Sequence, residues 1–544
     1  MKPTTFLGLW AIAAYVLYVA IAAVTKSRQR ARRARELGCK PAPIFSAWDV
    51  LGIQTVRNLL KADREKRLPE YSEERIATVS AREGRLVTTM RHVIAGEESF
   101  FTIEPRNIQA ILATQFKDFE LGERRNGNFQ PLLGHGIFAS DGKAWEHSRA
   151  LLRPQFGREQ ISDLKLEEAH VQNMLRALPV NREGWTDITD IQVLFFRLTL
   201  DSATEFLFGE SVDSQLASLP NYRGTKGAAD VPPERDERMF AFAFDRAQWH
   251  LARAGRFGKN YWIAHTADFK KQCRDVHAFV DYFVQLALSK DASSPEKRAG
   301  AGRKEKYVFL DALAAQTRDP VALRDQLLNI LLAGRDTTAS LLSWLFRFLA
   351  QHPQTFAKLR AVIVAEFGEY SDSDSNPGGD DGDITFARLK GCAFLQHCLN
   401  ETLRLQPVVP LNSRRAAVDT TLPLGGGPDG RSPVFVAEGM EVGYSVHVMQ
   451  RRPDVWGPDA AAFRPERWEA RRVGWEYLPF NGGPRICIGQ QFALTEASYV
   501  VVRLLQRFEA VEGFGMDGRT LHGLTLTSCP GDGVKVRFRE AARA

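Results

Sequence analysis

Cysteine is scarce in this chain: Cys39, Cys273, Cys392, Cys398, Cys487 and Cys529 are all that 544 residues contain. Six scattered cysteines exclude a disulfide framework and fit a reducing compartment. Familiar metal and phosphate motifs are missing too. There is no HExxH pair for zinc. Cys392, His397 and Cys398 look metal-like in composition, but helical residues six apart point about 240° apart around the axis, so they read as core. Gly425-Gly426-Gly427 is not followed by a helix and lacks the phosphate-loop pattern. No internal repeat is visible, and no flavin- or nicotinamide-binding region. Basic charge is also lacking over most of the chain. Of a net charge of +7, the first 36 residues hold nearly all: Lys2, Lys26, Arg28, Arg30, Arg32, Arg33 and Arg35 against Glu36. A nucleic-acid protein spreads its basic residues over a binding face, so that class is excluded.

What is present begins with a greasy N-terminus. Residues 4–25 carry no charge, and a spanning helix needs about 20 apolar residues. A cleaved signal has its basic residues before the apolar run; here they follow it. The positive-inside rule then keeps everything after residue 25 in the cytosol. The expectation is a retained single-pass transmembrane helix at 4–25 in the endoplasmic reticulum membrane. A basic and proline stalk follows at 26–45, ending in Cys39-Lys40-Pro41-Ala42-Pro43, and one large domain at 46–544. Length alone would allow three or four domains of about 150 residues, but the motifs below run in one order through the whole chain. Asn400-Glu401-Thr402, a formal glycosylation acceptor, reads as chance on this topology.

Helical periodicity dominates. Ala322 to Leu349 is a long helix between Pro320 and His352-Pro353. Gly391 to Leu405 and Gln490 to Phe508 are two more. Strand-like runs occur at Leu86 to Ile94, Phe100 to Ile103, Pro433 to Val436 and Glu441 to Val446. Residues 291–306 read as an exposed connector and 370–383 as an acidic surface loop. The fold class is mainly α with a minor β-sheet (α+β).

The most informative stretch is Phe480-Asn-Gly-Gly483-Pro-Arg485-Ile-Cys487-Ile-Gly489. A sulfur that ligates iron must be ionised, which the bound metal enforces. It must also face a flat macrocycle, so Gly483 and Gly489 remove side chains where the backbone comes close. The helix that follows aims its first N–H groups at the sulfur. Arg485 can reach a carboxylate of the macrocycle, and Phe480 can shield the sulfur from water. The plainer reading is a buried, inert cysteine in a glycine-rich turn. Against it, the spacing of Phe, Gly, Arg, Cys and Gly resembles the cytochrome P450 haem-binding loop at every defining position.

Other segments support the same resemblance. The long helix holds Ala333-Gly334-Arg335-Asp336-Thr337-Thr338, poor mid-helix residues that helix stability alone does not favour. Gly334 leaves room for oxygen. Asp336 and Thr337 pair an acid with an alcohol, which suits proton delivery. The motif resembles the family's oxygen-activation site, and these two are the candidate catalytic residues. Glu401 and Arg404 share a helical face. With Arg467 of Phe463-Arg-Pro465-Glu466-Arg467-Trp468 they match the family's buried triad, a structural feature; the family usually has Phe where Trp468 stands. Trp145 and Arg149 lie four apart and resemble its propionate-binding helix. Arg414 matches a further propionate contact by position.

The resemblance runs from Cys39 to the C-terminus. It is nearest the fungal microsomal branch that hydroxylates long-chain alkanes and fatty acids. It implies a cytochrome P450 fold and haem b held by Cys487. It also implies O2 as co-substrate, electrons from NADPH through a separate NADPH–cytochrome P450 reductase, and a small hydrophobic substrate, with membrane lipid as a further partner. The thiolate donates electron density that favours O–O cleavage. A related fatty-acid hydroxylase family bonds haem covalently through a Glu; Ala333 stands there, so no such bond is expected. Val408, Val409, Pro410 and Leu411 are candidate distal walls, Leu524 to Thr527 a second wall and Phe129 to Phe138 a lid; ordinary core is an equal reading for each. The competing functions are oxidation of a polyketide or terpenoid intermediate, a haem-thiolate isomerase or dehydratase, and a non-catalytic haem protein.

Overall fold

A long, nearly fully buried helix is the spine of the molecule. The computed structural model describes residues 3–157, 164–219, 237–289, 307–370, 384–516 and 518–542. The expected connector 291–306 and, apart from Tyr370, the expected loop 370–383 lie outside the described residues.

The spine runs Pro320–Gln351. Pro320 occupies its first turn, where a missing N–H costs nothing, and the Asp319 side chain caps it by accepting from Val321 N at 2.9 Å. A helix apolar on all sides must be wrapped by others. Its first half, through Leu332, packs with helices Ile191–Phe208, Glu237–Gly255 and Ala267–Ser289 in one apolar core. Its second half, from Ala339, packs with Ala393–Leu405, Pro353–Phe367 and Gln490–Arg507 in another. Residues 333–338 belong to neither core. That gap is where the acid–alcohol motif lies.

The main sheet lies to one side. Its strands, in spatial order, are Thr89–Ile94, Glu97–Thr102, Glu441–Ser445, Leu411–Ala416 and Phe119–Glu120. His92 is opposite Ser99, Phe101 opposite Gly443, and Gly443 opposite Ser413. The first hairpin turns at Ala95 and Gly96, both at positive φ (51° and 81°), as a two-residue turn matching strand twist requires. All four expected strands shift by one to three residues at one end or both; Leu86 to Ile94 begins only at Thr89. Leu411–Ala416 and Thr420–Gly426 are strands that the sequence reading passed over.

The N-terminal helix is continuous from Pro3 to Glu36, 34 residues and about 50 Å at 1.5 Å per residue. The first part of the expected stalk, residues 26–36, is therefore helical. Between Thr25 and Gly38 the chain is mostly Arg, Ala, Gln, Lys and Glu, good helix formers, and Arg32 pairs with Glu36 one turn on at 3.0 Å. Only Cys39–Pro43 is extended, docked on the sheet through Lys40 N to Pro433 O (2.9 Å) and Arg91 N to Pro43 O (2.8 Å). Among the described residues no helix is long and apolar enough to cross a membrane; most side chains of residues 4–25 lie outside the described set. Those described there, Trp10, Tyr15, Leu17, Tyr18, Ile21 and Val24, are exposed.

Candidate active site

One cavity of about 1150 Å³ joins the cysteine loop, the gap in the spine and the sheet. The loop is built by close backbone approach. Gly483 has φ +68°, and a Cβ there would meet the Leu112 carbonyl oxygen at 1.8 Å, so only glycine fits. Gly489 has no such conflict; a Cβ would sit 3.6 Å from Phe156, and the residue simply opens onto the cavity. Cys487 N donates to Phe480 O at 3.0 Å, closing the loop. Cys487 lies deep in the protein, yet its surface is open because it forms part of the cavity wall. Burial raises its thiol pKa, while the Gly489 N–H and the charge of Arg149 act the other way. The helix Gln490–Arg507 thus starts with a donor on the sulfur, as the loop's pattern implied.

Around the cavity floor stand several guanidiniums. Arg149, one turn after Trp145, donates to Ile486 O at 3.0 Å beside the cysteine. Arg485 lies over the Trp145 ring at 4.4 Å and pairs with Asp141 at 2.8 Å. Burial brings it down to about 9, and of its neighbours only Asp141 raises it; Arg414, Arg125 and Arg149 add repulsion. Arg414 is buried and donates only to Ser413 O (2.7 Å) and Asn412 Oδ1 (3.3 Å). Arg125 was not anticipated. It reaches in from helix Gly122–Leu133, donates to Asn412 Oδ1 at 2.9 Å and keeps an unpartnered Nε; burial and then Arg414 lower it to about 10. Four converging cations with one close carboxylate fit a flat group carrying negative charges at its edge.

Opposite the sulfur, the spine offers Ala333, Gly334, Thr337 and Thr338. Thr337 donates to Ala333 O at 2.6 Å. Asp336 is not on the cavity wall. It is buried, 3.2 Å from Arg335, which also pairs with the exposed Asp245. Burial raises its carboxyl to about 6, with Arg335 opposing and Asp245 adding to the rise. Asp336 thus precedes Thr337 in the helix, with Arg335 between it and the exposed Asp245. On the far side Thr338 faces Glu496, whose carboxyl is raised well above its usual range by burial and by Glu167. An acid in an apolar helix was the available signal for Glu496, and it went unread.

Behind the loop, Glu401 is fully buried and accepts from Arg404 at 2.8 and 2.9 Å, Arg467 at 3.3 Å and Arg464 N at 3.0 Å. The departure at Trp468 adds a donor: its indole N–H reaches Glu401 at 3.0 Å. Gln450 ties this centre to the loop, donating to Arg404 O (3.0 Å) while accepting from Leu478 N (2.7 Å).

The walls correct one expectation. Val408, Val409 and Leu411 line the cavity, as do Phe129, Ile137 and Phe138 of the expected lid. Leu524 does not. It pairs with Ser528 at the end of a hairpin and packs on Ala62, Leu68 and Tyr71; the turn residues Thr525, Leu526 and Thr527 reach the cavity instead. Asn400, within a helix, accepts from Tyr477 OH at 3.2 Å.

A cavity-facing cysteine below a ring of cations, with an acid–alcohol helix above, defines a site for a haem-thiolate oxidase. The family model for cytochrome P450 matches residues 83–523. The chain is 50% identical over 531 residues to cytochrome P450 monooxygenase g430 of Fusarium sp, covering 97% of this chain and 90% of that one. It is 44% identical over 543 residues to the monooxygenase alt2 of Alternaria solani (98% and 97% covered). It is 45% identical over 509 residues to cytochrome P450 52A12 of Debaryomyces hansenii (92% of each). The crystal structure of the cytochrome P450DA haem domain superposes with a TM-score of 0.69 at 21% identity, over 93% of this chain and 98% of that one, a likeness of fold. The chain belongs to the cytochrome P450 family: it is a haem-thiolate monooxygenase, and its cofactor is haem b.

Proposed function

We propose that this enzyme hydroxylates long-chain alkanes or fatty acids at the terminal carbon, with Cys487 as the thiolate ligand of its haem. The observation that carries the reading is the single cavity leading from Cys487 past Gly334 and Thr337 to Val408, Val409, Leu411 and Leu526. Apolar walls of that extent suit a hydrocarbon chain. Arg125, Arg149, Arg414 and Arg485, with Trp145, hold the haem propionates, and Phe480 screens the sulfur. When bound, haem supplies the site for O2 and its reduction. The chain's own contribution is protons. Asp336, with a pKa near neutrality, takes them from solvent by way of the Asp245–Arg335 end. The Thr337 hydroxyl passes them into the cavity.

Electrons come from NADPH through a separate NADPH–cytochrome P450 reductase. The same reading holds the enzyme on the endoplasmic reticulum membrane by residues 4–25, with the catalytic domain cytosolic. The uncharged run, the basic cluster after it and the exposed Leu17, Ile21 and Val24 support this.

Cys487→Ser tests the ligand: the reduced carbon-monoxide spectrum typical of a thiolate haem disappears, and an unchanged spectrum sinks the assignment. Titrating membranes with alkanes, fatty acids, terpenoids and polyketides, while following the haem spin state, tests the substrate. A shift with terpenoids or polyketides alone favours the competing reading in secondary metabolism.

A further inference from the structure

On the cavity wall, beside the edge of the main sheet, lies a buried cation with no carboxylate to balance it among the described residues. Arg75, in helix Leu68–Glu83, is 3% exposed and lines the cavity. Its guanidinium sits between the rings of Phe45 (4.7 Å) and Phe101 (5.4 Å). Its one hydrogen-bond partner among the described residues is His92 Nδ1. Burial, and then the charge of Arg75, hold His92 well below its usual value, so it is neutral and offers a lone pair but no charge. Arg75 Nε has no partner, nor does the hydroxyl of Tyr71 one turn earlier.

The nearby carboxylates are engaged elsewhere. Glu70 pairs with His522 (2.7 Å), Glu73 with His447 and Arg451 (3.1 and 3.2 Å), and Glu74 with Arg67 (2.8 Å). On the adjoining strand Glu98 pairs with Arg91 (2.6 Å), and Glu97 lies toward Gly258. An isolated buried cation costs several kcal/mol in any fold, and a buried donor left unpaired in a cavity marks a place where something binds.

Position gives the ligand its shape. His92 is on the edge strand Thr89–Ile94, three strands from Leu411–Ala416, which carries Arg414. At strand spacing that is about 14 Å across the sheet, so Arg75 is no part of the cation ring around the haem edge. The cavity between is continuous, and Leu59, Leu68 and Phe100 line the Arg75 end.

We propose that Arg75 is a carboxylate anchor: it binds the head of a long-chain fatty acid by a charge-assisted hydrogen bond, so that the opposite, methyl end lies at Thr337 and Cys487. The inference rests on the reading that this cavity takes long chains, and it selects fatty acids over alkanes within that reading. It also gives terminal oxidation a cause, since a chain held by its head presents its far end.

The test titrates the haem-loaded, full-length enzyme with a saturated long-chain fatty acid, its methyl ester and the alkane of equal carbon count, following the spin-state shift. Arg75→Met weakens the acid about tenfold, the worth of one charge-assisted hydrogen bond, and leaves ester and alkane unchanged. Arg75→Lys, which keeps the charge, retains part of the preference. Oxidation by Arg75→Met moves from the terminal carbon to internal ones. Ligand-free Arg75→Met melts no lower than wild type, because no protein counter-ion is lost. Equal weakening of all three ligands, no weakening of the acid, or a lowered melting temperature overturns the anchor while leaving the long-chain reading intact. A wild-type enzyme that responds to none of the three overturns both.

Discussion

Buried charge is handled in two different ways on the two sides of the cysteine loop. Behind it, Glu401 meets two guanidiniums, an indole N–H and a backbone N–H, and Arg404 spends its remaining donors on the carbonyls of Gln450, Ala460 and Ala462. In front of it, Arg75 and Arg125 keep nitrogens with no partner among the described residues, Arg485 has one carboxylate against three repelling cations, and Asp336 is buried beside Arg335 with its carboxyl raised. A buried charge with every atom answered is scaffold; one left partly unanswered is waiting for a ligand or a proton. The contrast separates structure from function where burial alone does not, since Arg75 is buried like Glu401 and Arg404 yet stays unanswered.

The largest expected effect lies on the answered side. Glu401→Ala strands the fully buried Arg404 without its counter-ion and leaves Arg467 with Asp459 alone. Breaking a buried pair in this way costs about 3–5 kcal/mol, a large share of any domain's stability. We expect no haem-loaded protein, read from the Soret band and the carbon-monoxide spectrum. Arg125→Met is the matching change on the unanswered side. It removes a cation whose one hydrogen-bond partner among the described residues is Asn412, so haem retention falls while the thermal midpoint holds. If Arg125→Met unfolds as readily as Glu401→Ala, the contrast is broken.

Thr337→Ala comes next, an effect on chemistry without one on stability. The hydroxyl bonds only within its own helix, to Ala333 O, so its loss leaves the fold within about 0.5 kcal/mol. NADPH is then consumed as peroxide while little substrate is oxidised. Undiminished coupling of NADPH to product counts against Thr337 as the proton donor to the cavity.

Asp336 gives a pH-dependent version of the same contrast. Burial holds its folded pKa at about 6, against 3.8 unfolded. Below about pH 4 both states are protonated and the residue costs nothing. Between 4 and 6 only the folded state keeps the proton, so rising pH withdraws stability. Above 6 the loss is complete, about 3 kcal/mol for a shift of roughly two units. Asp336→Asn therefore gains stability over wild type as pH rises from 4 to 6, and the gain is flat above. Denaturant midpoints across that range measure it; a constant difference means Asp336 is ionised throughout and holds no proton to give.

Much of this was legible from residue order, and the rest was not, for physical reasons. The cysteine loop, the acid–alcohol turn and the Glu401–Arg404 pair are local: a few residues on one element set their geometry, and spacing reports it. Arg125 is not local. It becomes a cavity residue only because its helix packs across the sheet onto Asn412, 287 positions away. Leu411–Ala416 and Thr420–Gly426 hide as strands because one holds Arg414-Arg415 and the other Pro423 and two glycines. Leu524 and Leu526 show the limit of pattern reading: two residues of the same type, one ending a strand and one at the hairpin tip, face different surroundings. The helix that runs unbroken to Glu36 is hidden because hydropathy changes at Lys26 while helix propensity does not.

The smallest effect is the most discriminating. Trp468 replaces the family's usual Phe, and its indole N–H is one of the donors on Glu401. Trp468→Phe keeps a ring against Tyr477 and Trp456, now 4.6 and 5.9 Å away between centroids. It leaves no orphan either, because Glu401 Oε2 still accepts from Arg404 Nε at 2.8 Å. The loss is then one hydrogen bond to a charged group, about 1.5–3 kcal/mol, at its lower end because the acceptor stays engaged. Denaturant midpoints should fall accordingly with an unaltered carbon-monoxide spectrum. No loss at all would make the tryptophan simple packing and Glu401 over-supplied with donors. A loss as large as that of Glu401→Ala would make the centre a single cooperative unit, in which each donor is needed to hold the others. The intermediate outcome is the one the geometry requires: a centre answered with one donor to spare, against a cavity whose cations still lack theirs.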